Sequence, residues 1–217
     1  MSVASLRTLK VMVFLACLAP LARLVAGAFG IAGESLGANP IETLIHSLGI
    51  WGLNFLLITL AVTPLRGLSG WAWPLRLRRM LGLFAFFYVL LHFLVYAGLD
   101  QRFDLGVILE DIAERPYITV GFSALVLLLP LALTSTRGMM RRLGRRWKKL
   151  HRLVYPIAIL GVWHFYWQVK LDTLEALVYA GVLAVLLGYR LIDYWRTQHG
   201  RRAHRRRTIR KPAGLSL

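Results

Sequence analysis

The chain has 217 residues, 57% of them hydrophobic, and a mean hydropathy of +0.58, yet 27 Lys and Arg against 10 Asp and Glu leave a formal net charge of +17. A soluble domain this apolar would expose large adhesive patches, and a nucleic-acid binder this basic has no need of long uncharged runs. Together the two extremes exclude both classes and indicate a membrane protein. The single cysteine, Cys17, excludes a disulfide framework and any Cys-based zinc or iron–sulfur site.

A helix needs about 20 apolar residues to cross a bilayer. In chain order, the first candidate is Val11–Gly33, interrupted only by Arg23. Arg7, Lys10 and Ala26-Gly27-Ala28 give it some likeness to a cleaved signal peptide, but its length and Arg23 favour a retained helix. Thr43–Leu65 follows, ended by Pro64 and the Trp71-Ala72-Trp73-Pro74 cluster, which offers interfacial aromatics. Met80–Leu99 is the third span, and residues 100–115 read as a short surface helix. Pro116–Thr136 is the fourth, with Pro116 suited to a first helical turn. Leu153–Val169 and Ala176–Tyr189 are short, but the flanking Arg152, Lys170 and Arg190 can snorkel. The expected fold is therefore all-α: a polytopic bundle of six transmembrane helices near 8–30, 43–65, 79–99, 116–136, 148–169 and 173–195. Residues 1–195 form one transmembrane domain and 196–217 a basic tail. Neither an internal repeat of fixed period nor a second soluble domain is evident.

Loop charge sets the orientation. Arg66–Arg79 carries four Arg and no acid, and Arg137–Lys149 carries five Arg and two Lys, again without an acid. The tail from Arg196 to Lys211 adds seven Arg and one Lys. The alternate loops hold Glu34 and Glu42, then Asp100, Asp104, Glu110, Asp111 and Glu114, then Lys170, Asp172 and Glu175. Basic loops stay in the cytoplasm, so both termini are expected there and the acidic loops outside. The polybasic tail, with His199 and His204, reads as a lipid-attracted segment.

Ionisable residues inside spans are expensive to bury and point to function. His46, His92, His151 and His164 qualify. With the expected topology, His92 and His164 lie at the same depth toward the outer face, on different helices. Two imidazoles opposed across a bundle can clamp a haem iron from both sides. His151 lies near the cytoplasmic face, about 19.5 Å along a helix from His164, far enough to mark a second haem level. An ideal helix would turn these two histidines about 140° apart, so the segment must deform, and Pro156 supplies a reason. No second inner histidine exists. Arg78 occupies that level, a poor iron ligand but a good partner for a haem propionate or flavin phosphate. His46 stands near the outer end of the second span, four residues after Glu42, where lining the outer pocket, carrying protons and facing the aqueous boundary are all open roles; it is not expected as a ligand.

The chain has no Gly-rich phosphate loop after a strand, no Ser-His-Asp set and no HExxH. Carboxylates are absent from the span interiors, which argues against a proton-driven transporter. One-electron chemistry with bound cofactors remains. The cytoplasmic cations, Arg76, Arg78, Arg79, Arg141, Arg142, Arg145, Arg146, Lys148 and Lys149, would fix topology and attract an anionic flavin or an acidic partner.

Particular stretches carry a family resemblance: Leu133-Thr134-Ser135-Thr136, Met140-Arg141-Arg142-Leu143-Gly144, Arg146-Trp147 and Leu150-His151-Arg152-Leu153-Val154-Tyr155. Arg78-Arg79-Met80-Leu81-Gly82, Leu91-His92, Arg115-Pro116-Tyr117-Ile118-Thr119 and Trp167-Gln168-Val169-Lys170 agree with them. Together they resemble the bacterial MsrQ (YedZ) family, within the wider ferric-reductase-like transmembrane group. The resemblance covers nearly the whole chain, least so the first helix and the tail.

The resemblance implies a six-helix b-type cytochrome of the bacterial inner membrane, holding one or two haem b groups and FMN. Such a subunit passes electrons from the quinone pool or a cytoplasmic flavin reductase to MsrP, a periplasmic molybdopterin enzyme that reduces protein methionine sulfoxide. It is thus an electron-transfer subunit rather than a catalytic one, with the lipid bilayer and no nucleic acid among its partners. Carried onto this chain, the ligand positions are His92, His151 and His164, with Arg78 where wider relatives have a fourth histidine. The competing readings are a stand-alone metal reductase, for whose usual fused flavin and nicotinamide domain 217 residues leave no room, and a non-redox assembly factor.

Overall fold

The computed structural model describes residues 3–169 and 173–209. The expected acidic-loop markers Lys170 and Asp172, and the tail residues Arg210 and Lys211, lie outside the described residues. Every regular element among the described residues is helical: α1 (Val3–Ala28), α2 (Pro40–Ser69), α3 (Arg78–Val95), α4 (Leu105–Glu114), α5 (Pro116–Leu133), α6 (Arg137–Leu143), α7 (Arg145–Leu150), α8 (Val154–Gln168) and α9 (Leu174–Ile209). Five stretches among them are long and apolar enough to cross a membrane: Ala4–Ala28, Pro40–Ser69, Arg78–Asp100, Pro116–Leu133 and Leu174–His199. Large apolar side chains such as Leu68, Val185 and Leu177 face outward, as hydrocarbon contact requires.

The expected fifth span, 148–169, is not one regular helix. It divides into α7, a 3₁₀ turn at His151–Leu153 and α8, which has 15 residues. Pro156 falls in the first turn of α8, where an N–H would lack an intrahelical partner anyway, and the irregular turn lies just before it. The second span differs the other way. Pro64 does not end it; α2 continues to Ser69 and closes on Gly70 in the left-handed region, φ 71°. α9 likewise runs on to Ile209, through much of the segment read as a separate tail. The surface helix expected within 100–115 is α4, started by the Asp104 carboxylate, which accepts from Gly106 N and Val107 N.

Two antiparallel hairpins make the bundle. α2 packs along α3, and α5 packs along α8. Their inward faces meet in a core of Leu53, Leu56, Leu60, Phe84, Ala85, Leu128, Ile157 and Ala158. Side-chain contacts fix the alignment. Ile45 meets His92 and Tyr117 meets His164 at one end; Thr134 meets His151 and Leu60 meets Arg190 at the other. The first end carries Glu42, Asp100, Asp104 and Asp111, and the second Arg76, Arg78, Arg141 and Arg146, so the bundle has an acidic and a basic end.

α1 lies at the periphery and is pinned by one hydroxyl. Pro20 interrupts its hydrogen-bond ladder. The Tyr88 hydroxyl inserts beside it, donating to Cys17 O at 2.8 Å and accepting from Leu21 N at 3.1 Å. Those two backbone groups would pair with each other in an unbroken helix. Tyr88 is wholly buried, so the polar groups at the break are satisfied without water.

Candidate functional site

A cavity of about 820 Å³ opens between the hairpins toward the acidic end, within the range of small-molecule and cofactor sites. Its walls are mostly apolar: Leu53, Leu56, Val89, Phe93, Phe122 and Leu125. His92 from α3 and His164 from α8 enter it from opposite sides, with ring centroids 6.1 Å apart and planes at 77°.

Each imidazole is fixed from behind. His92 Nδ1 lies 2.8 Å from Ile45 O, and His164 Nδ1 lies 2.7 Å from Tyr117 O. A carbonyl only accepts, so in both rings Nδ1 carries the proton and donates. That leaves Nε2 as the lone-pair nitrogen, the arrangement metal-bound histidines adopt. A metal sits about 2 Å from an imidazole nitrogen, so two rings opposed on one ion have centroids about 6.3 Å apart. The observed 6.1 Å fits.

Glycines make these seats possible. A Cβ added to Gly49 would lie 3.1 Å from His92 Nδ1, and one added to Gly121 would lie 2.7 Å from His164 Nδ1. Each glycine stands four residues after the carbonyl that its histidine uses, so the ring lies across the bare turn. The two seats are the same construction twice. Ring and acceptor are 47 residues apart in both, and one numerical shift carries Ile45, Gly49, His92 and Phe93 onto Tyr117, Gly121, His164 and Phe165. The chain therefore does contain a repeat, a helical hairpin used twice, which the sequence reading missed because so few positions match.

Among the described residues no group of three or more His, Cys, Asp or Glu is placed to hold a bare metal ion. Two opposed imidazoles in an apolar cleft suit an iron whose other ligands come from a macrocycle. The residues present fit a haem.

The remaining sequence candidates are placed differently. His46 lines the same cavity, exposed, with its ring 6.1 Å from that of Phe165. His151 faces no second imidazole. Its Nε2 is 3.1 Å from Thr134 Oγ1, and Trp147 stacks on its ring at 4.0 Å while donating Nε1–H to Thr134 O. Arg78 is half-buried at the start of α3, within electrostatic reach of His151.

Sequence reasoning did not single out the cavity mouth. The Asp111 carboxylate, only 7% exposed, accepts from Tyr96 OH at 2.8 Å and pairs with Arg115 Nε at 3.0 Å. Tyr96 and Arg115 both line the cavity. The four-residue spacing of Asp111 and Arg115 was the available signal.

Comparison with known proteins agrees with the all-helical membrane fold. Residues 48–162, which contain Gly49, His92 and Gly121, match the family described as "Ferric reductase like transmembrane component". Among similar curated proteins, one from Rhodospirillum rubrum is 58% identical over 195 residues, 89% of this chain and 92% of its own length. One from Xanthomonas euvesicatoria is 51% identical over 94% of each chain, and one from Herminiimonas arsenicoxydans is 51% identical over 88% of this chain and 87% of its own. Each is named a protein-methionine-sulfoxide reductase heme-binding subunit MsrQ. The chain belongs to the MsrQ family of ferric-reductase-like membrane proteins. No solved structure matches it.

Proposed function

We propose that this chain is the haem-binding membrane subunit of a protein-methionine-sulfoxide reductase system, in which His92 and His164 would hold a haem b. The opposed imidazoles, each held by a carbonyl over a glycine, carry the reading. The bound haem would supply reversible one-electron chemistry. The chain's own part is to hold both rings still, exclude water with the apolar walls and set the approach at each end. Ile45 O and Tyr117 O keep Nε2 of each ring free of a proton. Arg115, anchored by Asp111, lines the cavity beside Tyr96 and suits a porphyrin carboxylate.

Electrons enter at the basic end, from the quinone pool or a cytoplasmic flavin reductase, and FMN is a further cofactor. His151 and Arg78 mark that side, and His151 is the candidate ligand for a second haem. They leave at the acidic end for a periplasmic molybdopterin subunit, MsrP. The basic termini then lie in the cytoplasm of a bacterial cell, with the chain in its inner membrane.

Two measurements test the reading. Purified protein should show a reduced-minus-oxidised b-haem spectrum that His92→Ala and His164→Ala each diminish. If both variants keep the full spectrum, these ligands are wrong. Outer-face MsrP should be reduced in membranes that contain this chain and not in membranes that lack it; equal reduction in both would refute the relay.

A further inference from the structure

A second cluster lies at the basic end, away from the cavity. Pro64 has no N–H, so Leu60 O loses its partner within α2. Arg190 of α9 supplies one, donating Nη2–H to Leu60 O at 2.6 Å and Nη1–H to Tyr155 OH at 2.8 Å. Its guanidinium also lies over the Tyr155 ring, 5.2 Å from the centroid. Its Nε–H is buried and has no partner. The other buried side-chain atom without a partner among the described residues is Thr63 Oγ1, on the turn of α2 that follows Leu60. Arg78 lies within electrostatic reach of both Arg190 and Tyr155.

Neither arginine pairs with a carboxylate among the described residues, whose ion pairs are Arg23–Glu34 and Arg115–Asp111. Two always-charged groups within electrostatic reach of each other at the basic end of the bundle, one of them with a buried donor left unpaired, are costly unless an anion completes them. A structural role for Arg190 alone would use the Leu60 and Tyr155 bonds; it leaves Nε–H, Thr63 and the second positive charge unexplained.

We propose that Arg190, Arg78 and Thr63 form a binding site for an oxyanion, the phosphate or carboxylate of a cofactor held at the basic end between α2, α3, α8 and α9. Guanidinium forks and a hydroxyl donor suit either group. The site rests on this cluster alone and stands whether or not His92 and His164 ligate haem.

The test uses the full-length protein in detergent, with FMN and riboflavin as probes that differ only in a phosphate, and haem content measured in parallel. If the anion is a phosphate, wild type binds FMN about tenfold more tightly than riboflavin, and Arg190→Gln and Thr63→Val each shrink that preference while Arg190→Lys keeps part of it. If the anion is a porphyrin carboxylate, FMN and riboflavin bind alike, and Arg190→Gln and Thr63→Val release haem that Arg190→Lys retains. Thr63→Val removes a hydroxyl without a charge and keeps the test decisive should Arg190→Gln fail to fold. Variants with wild-type flavin discrimination and wild-type haem content would overturn the proposal.

Discussion

Gly121 offers the sharpest test of the cavity. A Cβ at this position would approach His164 Nδ1 to 2.7 Å, whereas ordinary contact begins near 3.4 Å, so Gly121→Ala must displace the ring by about 0.7 Å. At Gly49 the approach is 3.1 Å and the forced shift on His92 is about 0.3 Å. Metal–nitrogen distances tolerate only about 0.2 Å, and the same displacement strains the bond from Nδ1–H to Tyr117 O. Loss of such a supporting bond costs about 10–100-fold in metal affinity, or about 1.4–2.7 kcal/mol. Gly121→Ala should therefore weaken haem retention by that factor, and Gly49→Ala by less. Gly82→Ala is the control: it lies outside the cavity lining and its Cβ would meet Thr59 Cγ2 at 3.6 Å, an ordinary contact, so haem retention should not change. The assay is haem stoichiometry and the b-type difference spectrum of each purified variant, followed by haem transfer to an apo-globin acceptor. If Gly121→Ala and Gly82→Ala hold haem equally well, the bare turn is not a ligand seat.

Other expectations follow from single contacts. Tyr88→Phe leaves Leu21 N–H and Cys17 O at the α1 break without the bridging hydroxyl, and should lower stability in detergent by about 1–3 kcal/mol; an unchanged denaturation midpoint would show that the ladder closes by itself. Asp111→Ala strands Tyr96 OH and Arg115 at the cavity mouth and should destabilise by about 1–3 kcal/mol, measured in the same way, while Asp111→Asn loses less. His46→Ala should keep the full b-haem spectrum, because His46 lines the cavity without opposing either ligand; a spectrum lost in this variant would reassign the ligands.

Hydropathy and charge alternation made most of the bundle legible, since a long uncharged run in this chain has few alternatives to a helix. The depth argument also placed His92 opposite His164, because two points on antiparallel helices share a level whenever their distances from the same face agree. What stayed hidden depends on the backbone of a partner helix. Nothing local to Ile45 or Tyr117 announces that its carbonyl will receive an imidazole proton, and Gly49 and Gly121 resemble any other small residue in an apolar run. Pro64 misled for a related reason. A proline costs a helix one hydrogen bond, and the sequence does not say that Arg190, far along the chain, takes up the abandoned carbonyl. His151 was expected within a single span deformed at Pro156; the break is instead the 3₁₀ turn at His151–Leu153, and the stacking on Trp147 and the bond to Thr134 that go with it were not revealed by spacing alone.

The doubled hairpin has a consequence for assembly. α2 and α3 pack chiefly on each other, as do α5 and α8, and each hairpin carries one histidine, its carbonyl and its glycine. Each hairpin thus brings half a socket. A haem held by both rings would be a clasp between the two halves of the protein, and its delivery would also draw the bundle together.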